Sequence, residues 1–145
     1  MNLLRAVLLI PAMVCPSAGG ATFRLAPYLQ NPSTDSMTLV WFSQGAEAGQ
    51  VRYGKQGSGH HATIISEPKR ADALAYTEWE NMKFFQGSAP GVPYRHRVTL
   101  TGLDPGTAYG YEVKQGGERF RASFRTVPLL NQSIRFIVYG DSETE

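Results

Sequence analysis

Tyr94, His96, Val98 and Leu100 alternate with Arg95, Arg97, Thr99 and Thr101. A two-residue alternation of this kind puts one set of side chains on each face of an extended chain, the pattern of a half-buried β-strand. Leu103-Asp104-Pro105-Gly106-Thr107-Ala108 follows, and Tyr109, Tyr111 and Val113 then resume the same phase. Asp-Pro-Gly supplies a tight turn between the two strands. Gly116-Gly117 supplies a hairpin turn, and the return strand carries Phe120, Ala122 and Phe124 inward with Arg119, Arg121, Ser123 and Arg125 outward. Strands that are apolar on one face only need a second layer to cover that face.

The same signals recur upstream. Phe23 to Gln30 is predicted as a first strand, and Asn31-Pro32-Ser33-Thr34-Asp35-Ser36 as a turn. In the next strand Met37, Leu39 and Trp41 share one face, and Thr38, Val40 and Phe42 the other. Gln50 to Tyr53 forms a short third strand between Gly49 and Gly54, with Val51 and Tyr53 inward, and Ala62 to Ser66 an edge strand. Ala73 to Phe85 mixes aromatic and polar residues; it fits a strand, a long loop or a helical turn, and is expected as a strand. About seven short strands at regular turn spacing predict an all-β sandwich over residues 22–127, with no helix of ordinary length.

The two ends differ from this middle. Arg5, the apolar run Ala6 to Val14 broken by Pro11, and the small residues Ser17 to Ala21 have the order of a cleavable signal peptide, residues 1–21. The run is too short to span a membrane. The protein is therefore expected to be secreted, periplasmic or at the cell surface. Cys15, the only cysteine, lies in this segment and leaves a lipid anchor as a weaker alternative. At the other end, residues 128–133 read as a linker. Ile134 to Tyr139 is nearly continuous apolar sequence, as in a strand buried on both faces, and ends in Gly140-Asp141. A polar loop at the carboxyl end of such a strand is where α/β proteins place their sites.

Four segments carry a family resemblance. His96 to Tyr111, with its Leu103-Asp104-Pro105-Gly106-Thr107-Ala108-Tyr109 element, resembles the end of the fibronectin type III-like N-terminal domain of purple acid phosphatases. Arg24 to Gln30 and Met37 to Trp41 resemble its opening strands, and Ile134 to Asp141 resembles the start of a metallophosphoesterase catalytic domain. The resemblance implies a fibronectin type III/immunoglobulin-like β-sandwich, followed by one isolated strand of an α/β domain over residues 134–145. It further implies a complete protein that hydrolyses phosphate monoesters at a binuclear metal centre, Fe with Fe, Zn or Mn. Two adjacent metals neutralise the phosphoryl oxygens and lower the pKa of a bound water.

In this family the first Gly-Asp supplies a metal ligand, and Asp141 matches it. The other ligands, a Tyr, an Asn and several His, would fall beyond Glu145, so this chain alone is expected to bind no metal and to be inert. Purple acid phosphatases have Gly two residues after the Asp, and wider metallophosphoesterases usually His; this chain has Glu143, a candidate ligand in place of His. Gly140-Asp141-Ser142 also fits a turn or a helix cap.

The remaining candidates have plainer readings. Adjacent His60 and His61 point to opposite sides of an extended chain and suit a solvated loop. His96 is expected as a structural histidine bonded to backbone, and Tyr109 as the tyrosine corner of a sandwich. Arg95, Arg97, Arg119, Arg121 and Arg125 could form one basic face toward the catalytic domain or a phosphorylated substrate, with a solvated face as the simpler reading. Without Arg5 the chain has 13 basic and 12 acidic residues. That near-neutral balance gives no reason to expect a nucleic-acid partner. A non-catalytic module that binds a protein, a glycan or a cell surface is the alternative function.

Overall fold

The computed structural model describes residues 22–130 and Ser133. The strands are β1 (Phe23–Gln30), β2 (Met37–Ser43), β3 (Gln50–Lys55), β4 (Ala62–Ile65), β5 (Lys69–Arg70), β6 (Tyr94–Leu100), β7 (Ala108–Gln115) and β8 (Glu118–Arg125). They pair antiparallel throughout, in one sheet ordered β1-β2-β6-β5 and a second ordered β4-β3-β7-β8. The signal segment 1–21, the strand expected at 134–139, Asp141 and Glu143 lie outside the described residues.

The alternation read from sequence sets the core. Met37, Leu39 and Trp41 from β2, Val51 from β3, Val98 and Leu100 from β6, and Tyr109, Tyr111 and Val113 from β7 are all buried, with Leu103 and Phe124. The other face of β2 is covered too: Thr38 and Val40 are as buried as Met37, and Thr38 Oγ1 sits 3.1 Å from Thr99 Oγ1 on β6. A central strand flanked on both sides shelters its outward residues beneath its neighbours' longer side chains. On edge strand β8, Ala122 shares a face with Phe120 and Phe124 but stays exposed. Its side chain is too short to reach the core from the sheet edge.

The expected strand at 73–85 is not formed. A single 3₁₀ turn, Asp72–Leu74, leads instead into helix α1, Glu78–Phe85. Local chemistry explains the helix. Thr77 is its N-cap: the Thr77 hydroxyl accepts from Glu80 N at 3.2 Å, and the Glu80 carboxylate accepts from Thr77 N at 2.8 Å. This reciprocal capping box satisfies two backbone donors that a helix start otherwise leaves open. Glu78 and Glu80 in the first turn and Lys83 in the last complement the helix dipole. Gln86, with φ of 52°, and Gly87, with φ of 84°, end it in left-handed conformations. No residue of α1 is buried, so capping rather than packing holds it. Thr77→Ala is expected to cost about 1 kcal/mol locally. Amide exchange should accelerate across 78–85, while the global unfolding temperature moves little.

Candidate functional site

Eleven of the twelve buried hydrophobic side chains pack together, but the centre of the sandwich is polar.

 Those eleven, all of the buried hydrophobic residues except Val40, form one cluster. Within it the Trp41 indole lies flat on the His96 ring, centroids 4.7 Å apart and planes 7° from parallel. Trp41 Nε1 donates to Gln115 Oε1 at 2.9 Å, and Gln115 Nε2 donates to the Glu47 carbonyl at 2.9 Å. The His96 ring is fully buried, with Nε2 2.8 Å from Ser43 Oγ and Nδ1 2.8 Å from Ser66 Oγ.

One proton arrangement satisfies this cluster with a neutral ring. The Ser43 hydroxyl donates to the Gly45 carbonyl at 2.6 Å, so it accepts from Nε2–H. Nδ1 then accepts from the Ser66 hydroxyl, which in turn accepts from Gly49 N at 2.8 Å. His96 is thus structural, as expected, but its partners are serine side chains and not backbone. Burial pushes its pKa down to about 4. The network has no catalytic access to solvent.

The other sequence candidates are scattered. His60 and His61 are exposed; His61 Nδ1 lies 3.3 Å from Arg52 Nη2 and 3.2 Å from the Gly59 carbonyl. The Tyr109 hydroxyl accepts from Asp104 N at 2.9 Å, five residues upstream, which is the tyrosine corner. The five arginines do not form one face. Arg95 and Arg97 belong to β6 in the first sheet, and Arg119, Arg121 and Arg125 to β8 in the second. Among the described residues no three His, Cys, Asp or Glu side chains come together as a metal site. No helix among them is long and apolar enough to cross a membrane. The sequence reading missed Gln115, Ser43 and Ser66. Gln115 had a usable signal, since it continues the inward phase of Tyr109, Tyr111 and Val113.

Two antiparallel sheets packed on a buried tryptophan, closed by a tyrosine corner, define a fibronectin type III-like β-sandwich. The chain belongs to the family described as the purple acid phosphatase N-terminal domain, whose profile matches residues 23–126. No curated protein matches it. Among solved structures it is similar to a computationally redesigned β-sandwich protein, at 14% identity and a TM-score of 0.47 over 72% of this chain and 93% of that one. It is also similar to the sensor domain of the anti-sigma factor RsgI4 in Pseudobacteroides cellulosolvens, at 13% identity and a TM-score of 0.46 over 78% of this chain and 100% of that one. The fn3 domain of human contactin 1 aligns at 13% identity and a TM-score of 0.45, over 89% of this chain and 100% of that one.

Two predictions follow from the buried network. Because the folded pKa of His96 lies below its ordinary value of 6.5, the unfolded chain binds the extra proton first as pH falls. Stability is then full above pH 6.5 and is lost toward pH 4, by about 3 kcal/mol in all. Urea unfolding at a series of pH values measures this, and His96→Gln should flatten the slope. A Cβ at Gly49 would sit 2.6 Å from Gln115 Oε1 and 2.7 Å from Trp41 Cζ2. Gly49→Ala should therefore cost about 1–3 kcal/mol, read in the same urea titration.

Proposed function

We propose that this sandwich is the non-catalytic entry domain of an exported, metal-dependent phosphatase. The supporting observation is the family match over residues 23–126, followed in the sequence by an apolar run that ends in Gly140-Asp141. In this reading residues 1–21 are a signal peptide, 128–133 a linker, and 134–145 the first strand and first metal motif of a metallophosphoesterase domain. Asp141 supplies a carboxylate to a binuclear centre, Glu143 is a second candidate ligand, and the other ligands come from sequence past Glu145. When bound, the metals polarise the phosphate ester and activate water. The described residues contribute a rigid support to which that domain is tethered through Val127, whose N–H donates to the Ser33 carbonyl at 3.0 Å.

The test begins with the coding sequence after Glu145, where Asn-His and His-x-His motifs are expected. In the protein that includes them, Asp141→Asn should lower bound metal, measured by elemental analysis, and reduce turnover of a generic phosphomonoester at least 100-fold. The 145-residue chain supplied with Fe, Zn or Mn should show no turnover. Turnover by that chain, or full metal content in Asp141→Asn, would overturn the reading.

A further inference from the structure

Residues 71–93 form a finger between β5 and β6. It is rooted where Arg70 pairs with Tyr94, and the Ala71 N–H closes it by donating to the Pro93 carbonyl at 2.9 Å. Within it Tyr76 packs against Phe85, ring centroids 4.6 Å apart, and Asn81 Oδ1 accepts from Ala89 N at 2.8 Å. These contacts and the capping box hold its shape, yet Trp79 and Met82 are 62% exposed and Phe84 61%. Trp79 and Met82, at i and i+3, are neighbours on the helix surface. Trp79 also meets Phe84 edge to face, centroids 5.7 Å apart. With Leu74 and Tyr76 included, the exposed apolar surface is on the order of 500 Å², taking large side chains at about 150–250 Å² each. A contiguous patch of that size marks an interaction surface.

Beside this convex pad lies a trough of about 430 Å³, lined by Arg24, Leu25, Phe42, Leu74, Tyr76 and Glu80 among others. Glu80 joins the two features, since it follows Trp79 and lies one helical turn before Phe84. It accepts from Thr77 through Oε2 alone, which leaves Oε1 for another donor. Lys83 Nζ rides on the pad, 4.4 Å from the Trp79 ring and 5.3 Å from that of Phe84. The place of the finger bears on what covers it. Phe23, Ser43 and Tyr94 lie in one cross-strand row, so the finger shares an end of the sandwich with the start of β1. Val127 is bonded to Ser33 at the opposite end, about 20 Å away along β6. The chain past Val127 therefore departs from the end away from the finger. Charge disfavours an anionic surface as the cover: Asp72, Glu78 and Glu80 outnumber Lys83 within residues 71–93.

We infer that the finger pairs with that of a second copy of this chain about a two-fold axis, each Trp79–Phe84 pad seated in the other copy's trough. A two-fold contact is self-complementary, so one patch must carry both halves of it. This patch carries a pad and a trough side by side. It also carries a cation and a carboxylate: Lys83, riding on one pad, is brought to Glu80 Oε1 in the facing trough wall. Two such patches cover about 1,000 Å² in all, which just reaches the size of a specific interface. The pairing is independent of whether the chain leads into a hydrolase.

Sedimentation equilibrium of the chain tests this. The mass should rise with concentration from one copy toward two, with a dissociation constant no tighter than about 1 µM. Trp79→Ser, which removes the pad, and Leu74→Arg, which blocks the trough, should each raise that constant at least tenfold. Their Tm in dilute solution should not change, because both side chains are exposed. Mixed in equal amounts, the two variants should associate more tightly than either alone, since one intact pad then meets one intact trough. A chain that stays monomeric at millimolar concentration overturns the pairing. So does unchanged association by Trp79→Ser, or a mixture no tighter than its parts. Phosphatidylcholine vesicles probe the rival occupant. Trp41 is buried, so a blue shift of fluorescence on adding them reports Trp79. That shift in a monomeric chain marks a lipid-facing finger and likewise overturns the pairing.

Discussion

Trp41 stacked on His96 is the contact around which the two sheets are organised. Both residues stand on the first sheet, yet every hydrogen bond that leaves the pair toward Gln115 or Ser66 crosses to the second sheet or its flank. Apolar packing between sheets is strong but tolerates sliding. Directional bonds among fully buried groups do not, because each displaced donor or acceptor would be stranded away from water. The cluster therefore fixes how the sheets sit on one another. It also demands Gly49, since the chain passes against the indole and the amide too closely for a side chain.

Three of the four edge strands of the sandwich, β4, β5 and β8, have a form that resists pairing with other chains. β5 has only two residues, Lys69 and Arg70, and β4 has four. β8 is longer but carries Arg119, Arg121 and Arg125. Short edges and repeated positive charge are both effective against edge-to-edge association. Helix α1 sits apart from this economy of the sheets, with Trp79, Met82 and Phe84 exposed and Lys83 Nζ 4.4 Å over the Trp79 ring.

The parts of the fold that were legible in sequence are those governed by alternation. Tyr94 to Leu100 and Tyr109 to Val113 fall into phase because each strand has one buried face. The tyrosine corner was legible because it is local, spanning five residues. Helix α1 was misread although Thr77 and Glu80 carry the capping-box spacing. Its apolar residues follow no buried stripe, since the helix buries nothing, so hydrophobic periodicity had no face to report. His96 was legible as a core residue, but its serine partners lie 30 and 53 positions away, and one-dimensional pattern cannot pair them.

Sequence by itself determined the sandwich, the inward residues of its main strands and the family to which it belongs. These follow from the pleat, from turn chemistry and from motif order, all of which act over a few residues. Tertiary structure alone decided which arginines share a surface. Arg95 and Arg97 look equivalent to Arg119, Arg121 and Arg125 in the chain, yet sheet topology sends them to opposite layers. It also decided that Arg52, from a strand far earlier, shares a cross-strand row with Arg121, with Glu112 between them. Register between strands is set by how the whole core closes, and no segment of the chain carries that information on its own.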